Sequence, residues 1–466
     1  LTMSGVSPKT AIYNCFKAYD VRGEIGKDLD SSVAYKIGRS FVQVLKAKKV
    51  IIGRDNRESS PEISNALVTA LLDEGTHVLD LGLCGTEEMY FATSYYKADG
   101  GIQVTASHNP ASFNGMKFVG QGSKPLDNVT EFEEIQALTK NFTANFKSTL
   151  GSHKNIGETS RQAYIKKILS LVNISKFKKL KVLVNFGNGA AGPTFTEIAK
   201  ILKQQNVPIK FIGINEKPDG KFPNGAPNPL LAKNHQHTGQ HVKDSGADLG
   251  IAFDGDFDRC FFFDENGEFI KGEYVVGFLA EYFLEKGKGL GIVHDLRVIW
   301  NIQNSIKEMN GKSILCNTGH VFVKEAMRRH SAIYGGEISG HHYFKDFYFC
   351  DSGMLPWLLI CEILSVKKRN IKSLVENQFV RFRSSGEQNF LVRNIENALK
   401  KVENHFNDHG LIYDYTDGLS VTGKDWRFNL RPSNTENLLR LNIESRGGGN
   451  IVDLKLKEIS SLLTSC

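Results

Sequence analysis

The amino-acid sequence predicts an α/β fold in which three related α/β domains with mixed sheets precede a smaller C-terminal α+β domain. Short apolar runs of strand length alternate with helical patterns, and this alternation recurs in three successive stretches of the chain. After about residue 370 the alternation gives way to a different order of elements. The chain has 466 residues, which is too long for one compact core and predicts three or four domains.

The first stretch contains three apolar segments that end in polar loops and are expected to be buried strands. They are Lys49–Asp55, His77–Gly82 and Gly101–Ser107. Between the first two, Ser60–Gly75 has helical spacing, with Ser60 as a candidate N-cap and proline in the first turn. This order predicts a parallel or mixed sheet with helices on both faces.

Two further sets of strand-like segments repeat this alternation of strands and helices. They are Lys181–Gly187, Pro208–Asn215 and Asp248–Asp254 in the second set, and Gly289–Asp295, Lys312–Gly319 and Ser331–Glu337 in the third. The most apolar stretch, Met354–Val366, is shorter than the roughly 20 residues that a membrane span needs, so it is expected to be a buried helix.

The last part of the chain begins with a predicted helix, Asn394–Phe406, and continues with short strand-like stretches and a final helix. On these patterns the domains are expected to span residues 1–153, 154–261, 262–372 and 373–466.

Composition narrows the classes of partner. The formal net charge of +7 suits anionic small molecules, but clustered basic runs of the kind that bind nucleic acid are absent. Seven scattered cysteines without a CxxC pair predict neither a disulfide framework nor a zinc site. The first ten residues contain no apolar signal core. We therefore expect a cytoplasmic protein that binds small molecules, without nucleic-acid or membrane partners.

The clearest candidate site is an acidic loop after an apolar segment. Asp254, Asp256 and Asp258 stand at alternate positions, and Gly255 allows the turn that would bring their carboxylates to one hard cation. A calcium-binding EF-hand loop is excluded because Arg259 occupies the position that needs glycine and because strands flank the loop. A solvated acidic turn is the remaining alternative.

A second loop, Thr105–Pro110, follows a predicted strand, and strand ends are where ligands bind in α/β sheets. Ser107 lacks the GxSxG context of an esterase nucleophile, and the adjacent His108 is badly placed to complete a triad. On the residues alone, Ser107 is either a reactive hydroxyl or a serine that caps a turn.

Two later loops combine groups that suit a phosphorylated sugar. Gly336–His341 places a carboxylate, a hydroxyl and an imidazole between glycines, which matches vicinal sugar hydroxyls. Arg431–Asn437 offers a guanidinium, hydroxyls and an amide, which suit a phosphate dianion. Plain polar turns are the alternative for both.

A glycine motif supports a different class of enzyme. Gly187–Gly192 follows a predicted strand and matches GxGxxG, the fingerprint of nicotinamide-dependent oxidoreductases. The motif is weak when it stands alone, and an oxidoreductase would leave the other four loops unexplained.

The four loops, in this order and spacing, resemble those of the α-D-phosphohexomutase family. The likeness covers nearly the whole chain and includes Phe16–Gly23 and Pro218–Leu230. It implies a four-domain molecule arranged around a central cleft, with one loop from each domain, and an isomerase that transfers a phosphoryl group within hexose phosphates.

The resemblance also implies roles for individual residues. Ser107 would be the phosphoserine and would bind Mg²⁺ together with Asp254, Asp256 and Asp258. Residues expected to contact the substrate are Tyr19, Arg22, Arg297, Glu337, Ser339, Arg431, Ser433, Asn434 and Thr435. Residues expected to assist catalysis are Lys117, Arg259, His320 and His341, and the general base is left open among Lys117, His320 and His341.

The sequences around the loops look most like those of bacterial phosphomannomutases, notably GTEEMYFATS, Gly85–Ser94. The implied reaction converts mannose 6-phosphate to mannose 1-phosphate and back through a bound hexose 1,6-bisphosphate. A glucose or glucosamine phosphate mutase of the same family is the alternative within this class, and a catalytically silent sugar-phosphate binding protein is the alternative outside it. A monomer or a weak homodimer is expected.

Overall fold

The computed structural model describes residues 14–143, 150–433, 438–447 and 449–464. Within them the chain forms four sheets, and the first three are mixed while the fourth is antiparallel throughout. The predicted fold class is therefore confirmed. The domain boundaries stay predictions.

The first sheet has six strands in the order β1-β5-β4-β2-β3-β6. Its strands are β1 (Val21–Glu24), β2 (Lys49–Arg54), β3 (His77–Leu83), β4 (Gly100–Val104), β5 (Phe113–Gly120) and β6 (Ser152–Asn155). Its helices are α1 (Ser31–Leu45), α2 (Ser60–Asp73), α3 (Thr86–Tyr95) and α4 (Glu133–Lys140). Strands β4, β2, β3 and β6 are parallel, so the loops after β2 and β4 leave the same edge of the sheet.

The second sheet has five strands in the order β11-β10-β9-β7-β8. Its strands are β7 (Leu180–Asn185), β8 (Ile209–Ile214), β9 (Leu249–Phe253), β10 (Cys260–Phe263) and β11 (Phe269–Ile270). Its helices are α5 (Gly157–Ser170), α6 (Ala191–Gln204) and α7 (Ala232–Ser245). The acidic loop connects β9, which is parallel to β7, with β10, which is antiparallel to β9.

The third sheet also has five strands, in the order β13-β12-β14-β15-β16. Its strands are β12 (Gly291–Asp295), β13 (Lys312–Cys316), β14 (Tyr334–Gly336), β15 (His342–Phe344) and β16 (Cys350–Asp351). Its helices are α8 (Gly272–Leu284), α9 (Trp300–Glu308), α10 (His320–His330), α11 (Met354–Lys367) and α12 (Ile371–Arg381).

The fourth sheet follows α12 and pairs β22 with both β21 and β17. Its strands are β17 (Phe382–Ser384), β18 (Gln388–Phe390), β19 (Ile412–Asp414), β20 (Leu419–Thr422), β21 (Trp426–Pro432) and β22 (Leu439–Arg446). Its helices are α13 (Ile395–His405) and α14 (Ile451–Leu463).

One hydrophobic cluster runs through the first three domains, each of which also has a smaller cluster of its own, and the fourth domain has a separate core. Helix α11 lies in the shared cluster and is the predicted buried helix. Its Trp357 ring packs 4.9 Å from the ring of Phe195 on α6. None of the helices among the described residues combines the length and apolar character that crossing a membrane requires. The shared core fixes the loops of the first three domains relative to one another.

The fourth domain contacts the third through two buried charged residues, Arg427 on β21 and Glu444 on β22. Glu444 accepts hydrogen bonds from the backbone N–H groups of Ile299 and Trp300, each at 2.9 Å, where α9 begins. Arg427 pairs with Glu444 at 3.2 Å and donates to the carbonyls of Leu296 and Arg297. Since α9 has no side-chain cap from its own N-cap residue, Glu444 supplies it.

Candidate active site

Ser107 follows β4 directly and lies in a sharp turn. Its φ of 50° is in the left-handed region, which is uncommon for a residue other than glycine and marks a backbone held by its surroundings. The side chain is buried, with 3% of the residue exposed, and its Oγ donates to Asp254 Oδ2 at 2.7 Å. The turn therefore points the hydroxyl into the second domain.

Arg57, in the loop after β2, holds that turn from behind. Its guanidinium donates to the carbonyls of Ser107 and Asn109, each at 2.8 Å, and to those of Pro110 and Phe113 at 2.6 and 3.0 Å. Sequence reasoning missed this residue. Its position after a parallel strand next to β4 was the only available signal, because the carboxyl ends of parallel strands meet at one edge.

The acidic loop between β9 and β10 brings its three carboxylates together. Asp254, Asp256 and Asp258 are at most 1% exposed, and one oxygen from each lies within 4.8 Å of the others. Arg259 donates from Nε to Asp254 Oδ2 at 2.9 Å and contacts His108 Nδ1 at 2.6 Å. The predicted cluster of Ser107, the three aspartates and Arg259 thus forms.

Two carboxylate oxygens in this cluster lack a hydrogen-bond partner among the described residues. Asp256 Oδ1 and Asp258 Oδ1 are buried and accept no hydrogen bond from the parts of the chain that the structure describes. Lys117 on β5 lies 2.7 Å from Asp256 Oδ2 and 2.5 Å from Asp258 Oδ2. Unpaired buried carboxylate oxygens are costly unless a cation binds them, and oxygen ligands suit Mg²⁺. The residues present therefore fit a divalent hard cation.

The charges of the cluster also fit a bound divalent cation. Burial, followed by the charge of Asp256, raises the pKa of Asp258 to about 7, so crowded carboxylates resist full ionisation. Burial would lower the pKa of Lys117, but Asp256 and Asp258 outweigh it and raise the pKa above the ordinary value. In this geometry Lys117 is a fixed positive charge, not a free base.

The loop between β14 and β15 sits beside this cluster. Glu337 is 1% exposed, and its carboxylate accepts from Gly319 N at 2.8 Å and from the Tyr343 hydroxyl at 2.5 Å. Ser339 Oγ lies 3.2 Å from a terminal nitrogen of Arg297. Arg297 also forms an ion pair with Asp295 at 2.9 Å. The carboxylate of Glu337, at 3.8 Å, and the hydroxyl of Ser339 thus both lie next to the guanidinium of Arg297.

The two candidate histidines occupy different environments. His341 Nδ1 lies 3.0 Å from Asp351 Oδ2 and 4.0 Å from Asp258 Oδ1, so the loop between β14 and β15 reaches the acidic cluster. Burial would lower the pKa of His341, but Asp258 and Asp351 raise it above the ordinary value. Burial, followed by Lys324, holds the pKa of His320 well below its ordinary value.

His320 is therefore neutral, and neither of its ring nitrogens has a hydrogen-bond partner among the described residues. Its ring packs edge-on against Tyr19 at 4.9 Å. Near Tyr19, Arg22 donates to Asn109 Oδ1 at 2.8 Å, in the Ser107 turn, and pairs with Asp20. Tyr19 and Arg22 thus lie beside His320 and the Ser107 turn, respectively.

The fourth loop is described in part. Arg431 is 3% exposed, and burial, followed by Arg297, lowers the pKa of its guanidinium. Ser433 donates its backbone N–H to Leu438 O at 2.9 Å. Asn434 and Thr435 lie outside the described residues. Two buried guanidiniums from different domains repel each other, and a phosphate dianion between them would relieve that repulsion.

Sequence reasoning also missed Asp351 and Lys324. Asp351 orients His341, and Lys324 lies 2.8 Å from Asp351 Oδ1 while its ammonium stacks 3.8 Å from the ring centroid of Tyr90. Neither belongs to a recognisable motif, because both act through contacts that form only on folding.

Packing within the protein explains the glycines of the Gly187–Gly192 turn. A Cβ at Gly189 would lie 2.8 Å from Gly255 O, and Ala190 N donates to the same carbonyl at 2.9 Å. The turn therefore packs against the acidic loop, and this contact requires the glycine at position 189.

Each of the four parts of the chain matches a domain of one protein family. The descriptions are phosphoglucomutase/phosphomannomutase α/β/α domain I at residues 14–145, domain II at 162–267, domain III at 271–382 and the C-terminal domain at 383–457.

Relatives and solved structures agree with these matches. A phosphomannomutase of Salmonella montevideo is 47% identical over 97% of this chain and 99% of its own. A phosphohexose mutase of Xanthomonas campestris is 45% identical over 96% and 98%. The crystal structure of a Burkholderia thailandensis phosphoglucomutase/phosphomannomutase family protein superposes with a TM-score of 0.86 at 29% identity and covers 98% of both chains. An Aspergillus fumigatus N-acetylphosphoglucosamine mutase, solved with glucose 1,6-bisphosphate, shares the fold with a TM-score of 0.59 at 14% identity, over 99% of this chain and 96% of its own.

Proposed function

Because this chain belongs to the phosphoglucomutase/phosphomannomutase family and is an isomerase-class phosphohexomutase, we propose that it interconverts mannose 6-phosphate and mannose 1-phosphate through phospho-Ser107. The observation that carries the proposal is the contact of Ser107 Oγ with Asp254 at the edge of the aspartate cluster. A capping serine would not need this buried acidic neighbour. Mannose as substrate is supported by the relatives named phosphomannomutase.

In the proposed reaction the phosphoryl group of phospho-Ser107 passes to the free hydroxyl of the bound hexose monophosphate. The bond from phosphorus to the serine oxygen breaks, the bond to the sugar oxygen forms, and the hydroxyl proton leaves to a base. The resulting 1,6-bisphosphate turns within the cleft, and its other phosphoryl group returns to Ser107. Such transfers need positioning and charge stabilisation more than covalent chemistry from the protein.

The residues around Ser107 would supply that stabilisation. Asp254, Asp256 and Asp258 would hold Mg²⁺ with Ser107, and the ion would neutralise charge on the transferring group when bound. Arg259 and Lys117 are buried cations beside the same carboxylates and would face the phosphoryl oxygens.

His320 is the best-placed general base of the three candidates. It is neutral and both its ring nitrogens are unpaired within the described chain, whereas Lys117 is held charged and His341 is engaged by Asp351. A base must have a free lone pair when the hydroxyl proton leaves. His341 would instead act as a positively charged contact to substrate.

The remaining residues would bind the sugar and its second phosphate. Glu337 and Ser339 would contact the 3- and 4-hydroxyls, which roughly exchange when the bisphosphate turns. Arg431, Ser433, Asn434 and Thr435 would hold the phosphate that does not react, with Arg297, Tyr19 and Arg22 lining the cleft. Hexose 1,6-bisphosphate is the expected activator, as supported by the fungal relative solved with such a ligand.

The test is a Ser107→Ala variant purified away from host mutase. We expect loss of turnover with mannose 1-phosphate while substrate binding by calorimetry is largely kept, and loss of the single phosphate that intact-mass measurement should find on the unaltered chain. Ser64→Ala, at a buried serine on α2, is the matched control and should keep both. Near-normal turnover by Ser107→Ala would overturn the proposal.

The same assay addresses the sugar. Initial rates with mannose, glucose and glucosamine 1-phosphates, each with a trace of the matching bisphosphate, separate the mannose mutase from the two alternatives in its family. Binding without turnover of any of them would support the silent binding protein instead.

A further inference from the structure

The GTEE segment at the start of α3 connects three domains at the acidic loop. Thr86, Glu87 and Glu88 are each at most 2% exposed, although α3 belongs to the first sheet. Three consecutive polar side chains with this degree of burial require hydrogen-bond partners, and each contacts a different element of the fold.

Thr86 contacts the acidic loop directly. Its hydroxyl donates to Asp256 Oδ2, and its backbone N–H donates to Asp256 O at 3.2 Å. The preceding glycine makes the approach possible, because a Cβ at Gly85 would lie 2.2 Å from the ring of Phe257. Side chain and backbone of one residue therefore fix one loop position across the boundary between two sheets.

The two glutamates hold α3 in the place this contact needs. Glu87 accepts from Met354 N at 3.1 Å, at the start of α11. Glu88 accepts from the hydroxyl of Thr194 at 3.0 Å and pairs with Arg161 at 3.2 Å. Helix α3 is thus anchored to the second and third domains at the turn that carries Thr86.

The hydrogen bonds decide which oxygen of Asp256 is available to a cation. Oδ2 already accepts from Thr86 and from Lys117, whereas Oδ1 is buried and accepts nothing from the described chain. With Oδ2 held by two donors, the carboxylate cannot rotate to exchange its oxygens without breaking both bonds. Groups behind a ligand that act in this way tune metal affinity.

We propose that Thr86 is a positioning residue of the cation site, which fixes the Asp256 carboxylate so that Oδ1 faces the ion. The inference rests on the proposed cation site and extends it to a residue of another domain that does not itself touch the ion. Glu87 and Glu88 hold Thr86 in the position from which it contacts Asp256.

The experiment measures Mn²⁺ binding by the electron paramagnetic resonance signal of the free ion, on full-length chains matched in phosphorylation by intact mass. Thr86→Val removes the hydroxyl with little change of shape and should weaken Mn²⁺ binding about 10- to 100-fold. Thr86→Ser keeps the donor and should restore binding to within a few-fold of the unaltered chain.

Thr93→Val is the matched control. Thr93 lies on the same helix, is fully buried, and donates to Met89 O within α3. This variant should lose a comparable hydroxyl without weakening Mn²⁺ binding. In steady-state assays Thr86→Val should raise the Mg²⁺ concentration for half-maximal activity, while the KM for hexose phosphate at saturating Mg²⁺ stays the same.

Mn²⁺ affinity within about threefold of the unaltered chain in folded Thr86→Val, or an equal loss in Thr93→Val, would overturn the inference. If Thr86→Val does not fold, Thr86→Ala replaces it under the same criterion. Asp256→Asn separates a failure of the proposed cation site from a failure of the proposed role of Thr86. Unchanged Mn²⁺ binding by Asp256→Asn would refute the cation site itself, whereas its loss together with normal binding by Thr86→Val would refute only the role of Thr86.

Discussion

Replacing Arg57 by methionine should loosen the Ser107 turn more than any other single change in the first domain. The guanidinium is fully buried, and all five of its N–H groups are used, four on backbone carbonyls of the turn and one on Asp55 at 3.1 Å. Methionine fills a similar volume and supplies no donor. The change therefore removes a donor from each of these four carbonyls, of which Pro110 O still accepts from Phe113 N at 3.1 Å.

The magnitude follows from these contacts. A buried acceptor that loses its donor costs about 1–3 kcal/mol, and a broken buried ion pair costs about 3–5 kcal/mol, but such terms do not add when one group serves them all. Asp55 keeps the hydroxyls of Ser60 and Thr105, which reduces the penalty. We expect a loss of about 3–5 kcal/mol in the first domain, which corresponds to an unfolding midpoint lower by roughly 10 °C.

The effect on turnover should exceed the effect on binding. Ser107 holds a left-handed backbone only because its surroundings impose it, and displacement of a reacting group by about 1 Å lowers the rate about 100-fold. Turnover of mannose 1-phosphate and its binding by titration calorimetry, both at a temperature below the unfolding transition, measure the two effects on the same sample.

Arg39→Met is the control for stability alone. Arg39 is equally buried and pairs with Glu74 at 2.6 Å, but it lies on α1 away from the turn. It should lower the midpoint by a similar amount and leave kcat nearly unchanged. Equal kcat losses in both variants, or an Arg57→Met enzyme with kcat within threefold of normal, would refute the reasoning.

Two further predictions concern the third domain. Gly353→Ala would place a Cβ 2.2 Å from Phe257 O and so displace the acidic loop, which should weaken Mn²⁺ binding at least about tenfold. Gly120→Ala is the control and should leave Mn²⁺ binding unchanged, because a Cβ there has no atom nearer than 3.7 Å. Unchanged Mn²⁺ binding by Gly353→Ala would contradict the predicted displacement of the acidic loop. Burial lowers the pKa of His294 to about 4, so the stability of its neutral form is complete above the unfolded-state value of 6.5 and is lost as the pH falls toward 4. Between pH 6.5 and pH 5 this amounts to about 2 kcal/mol, and a His294→Gln variant should show a smaller fall of the unfolding midpoint over that range than the unaltered chain does.

The fold and the acidic cluster could be predicted because their signals are local. Apolar runs of strand length end in the residues that carry chemistry, so Ser107 and the three aspartates were found at strand ends. The same reasoning missed Arg57, whose only signal was its position after β2, and it could not find Asp351 or Lys324, whose sequence neighbourhoods do not distinguish them from surface charges. Their roles depend on burial, which only the packed structure reveals.

The general base was predicted only in part: its candidates could be listed from the sequence, but the choice among them could not be made. The sequence offered Lys117, His320 and His341 on equal terms. The tertiary environment separates them, because two aspartates raise the pKa of Lys117 while burial, followed by the neighbouring Lys324 ammonium, lowers the pKa of His320. Chemical type is local information, but protonation is set by the tertiary environment.

The cap that Glu444 provides for α9 links the order of synthesis to the order of folding. Residues 299 and 300 leave the ribosome long before residue 444, so the first turn of α9 has no side-chain acceptor for its N–H groups while the fourth domain is still being made. The third domain can collapse around α11 in that interval, but its α9 turn becomes fully satisfied only when β22 arrives. The nascent third domain therefore keeps an uncapped α9 turn until the fourth domain has been synthesised.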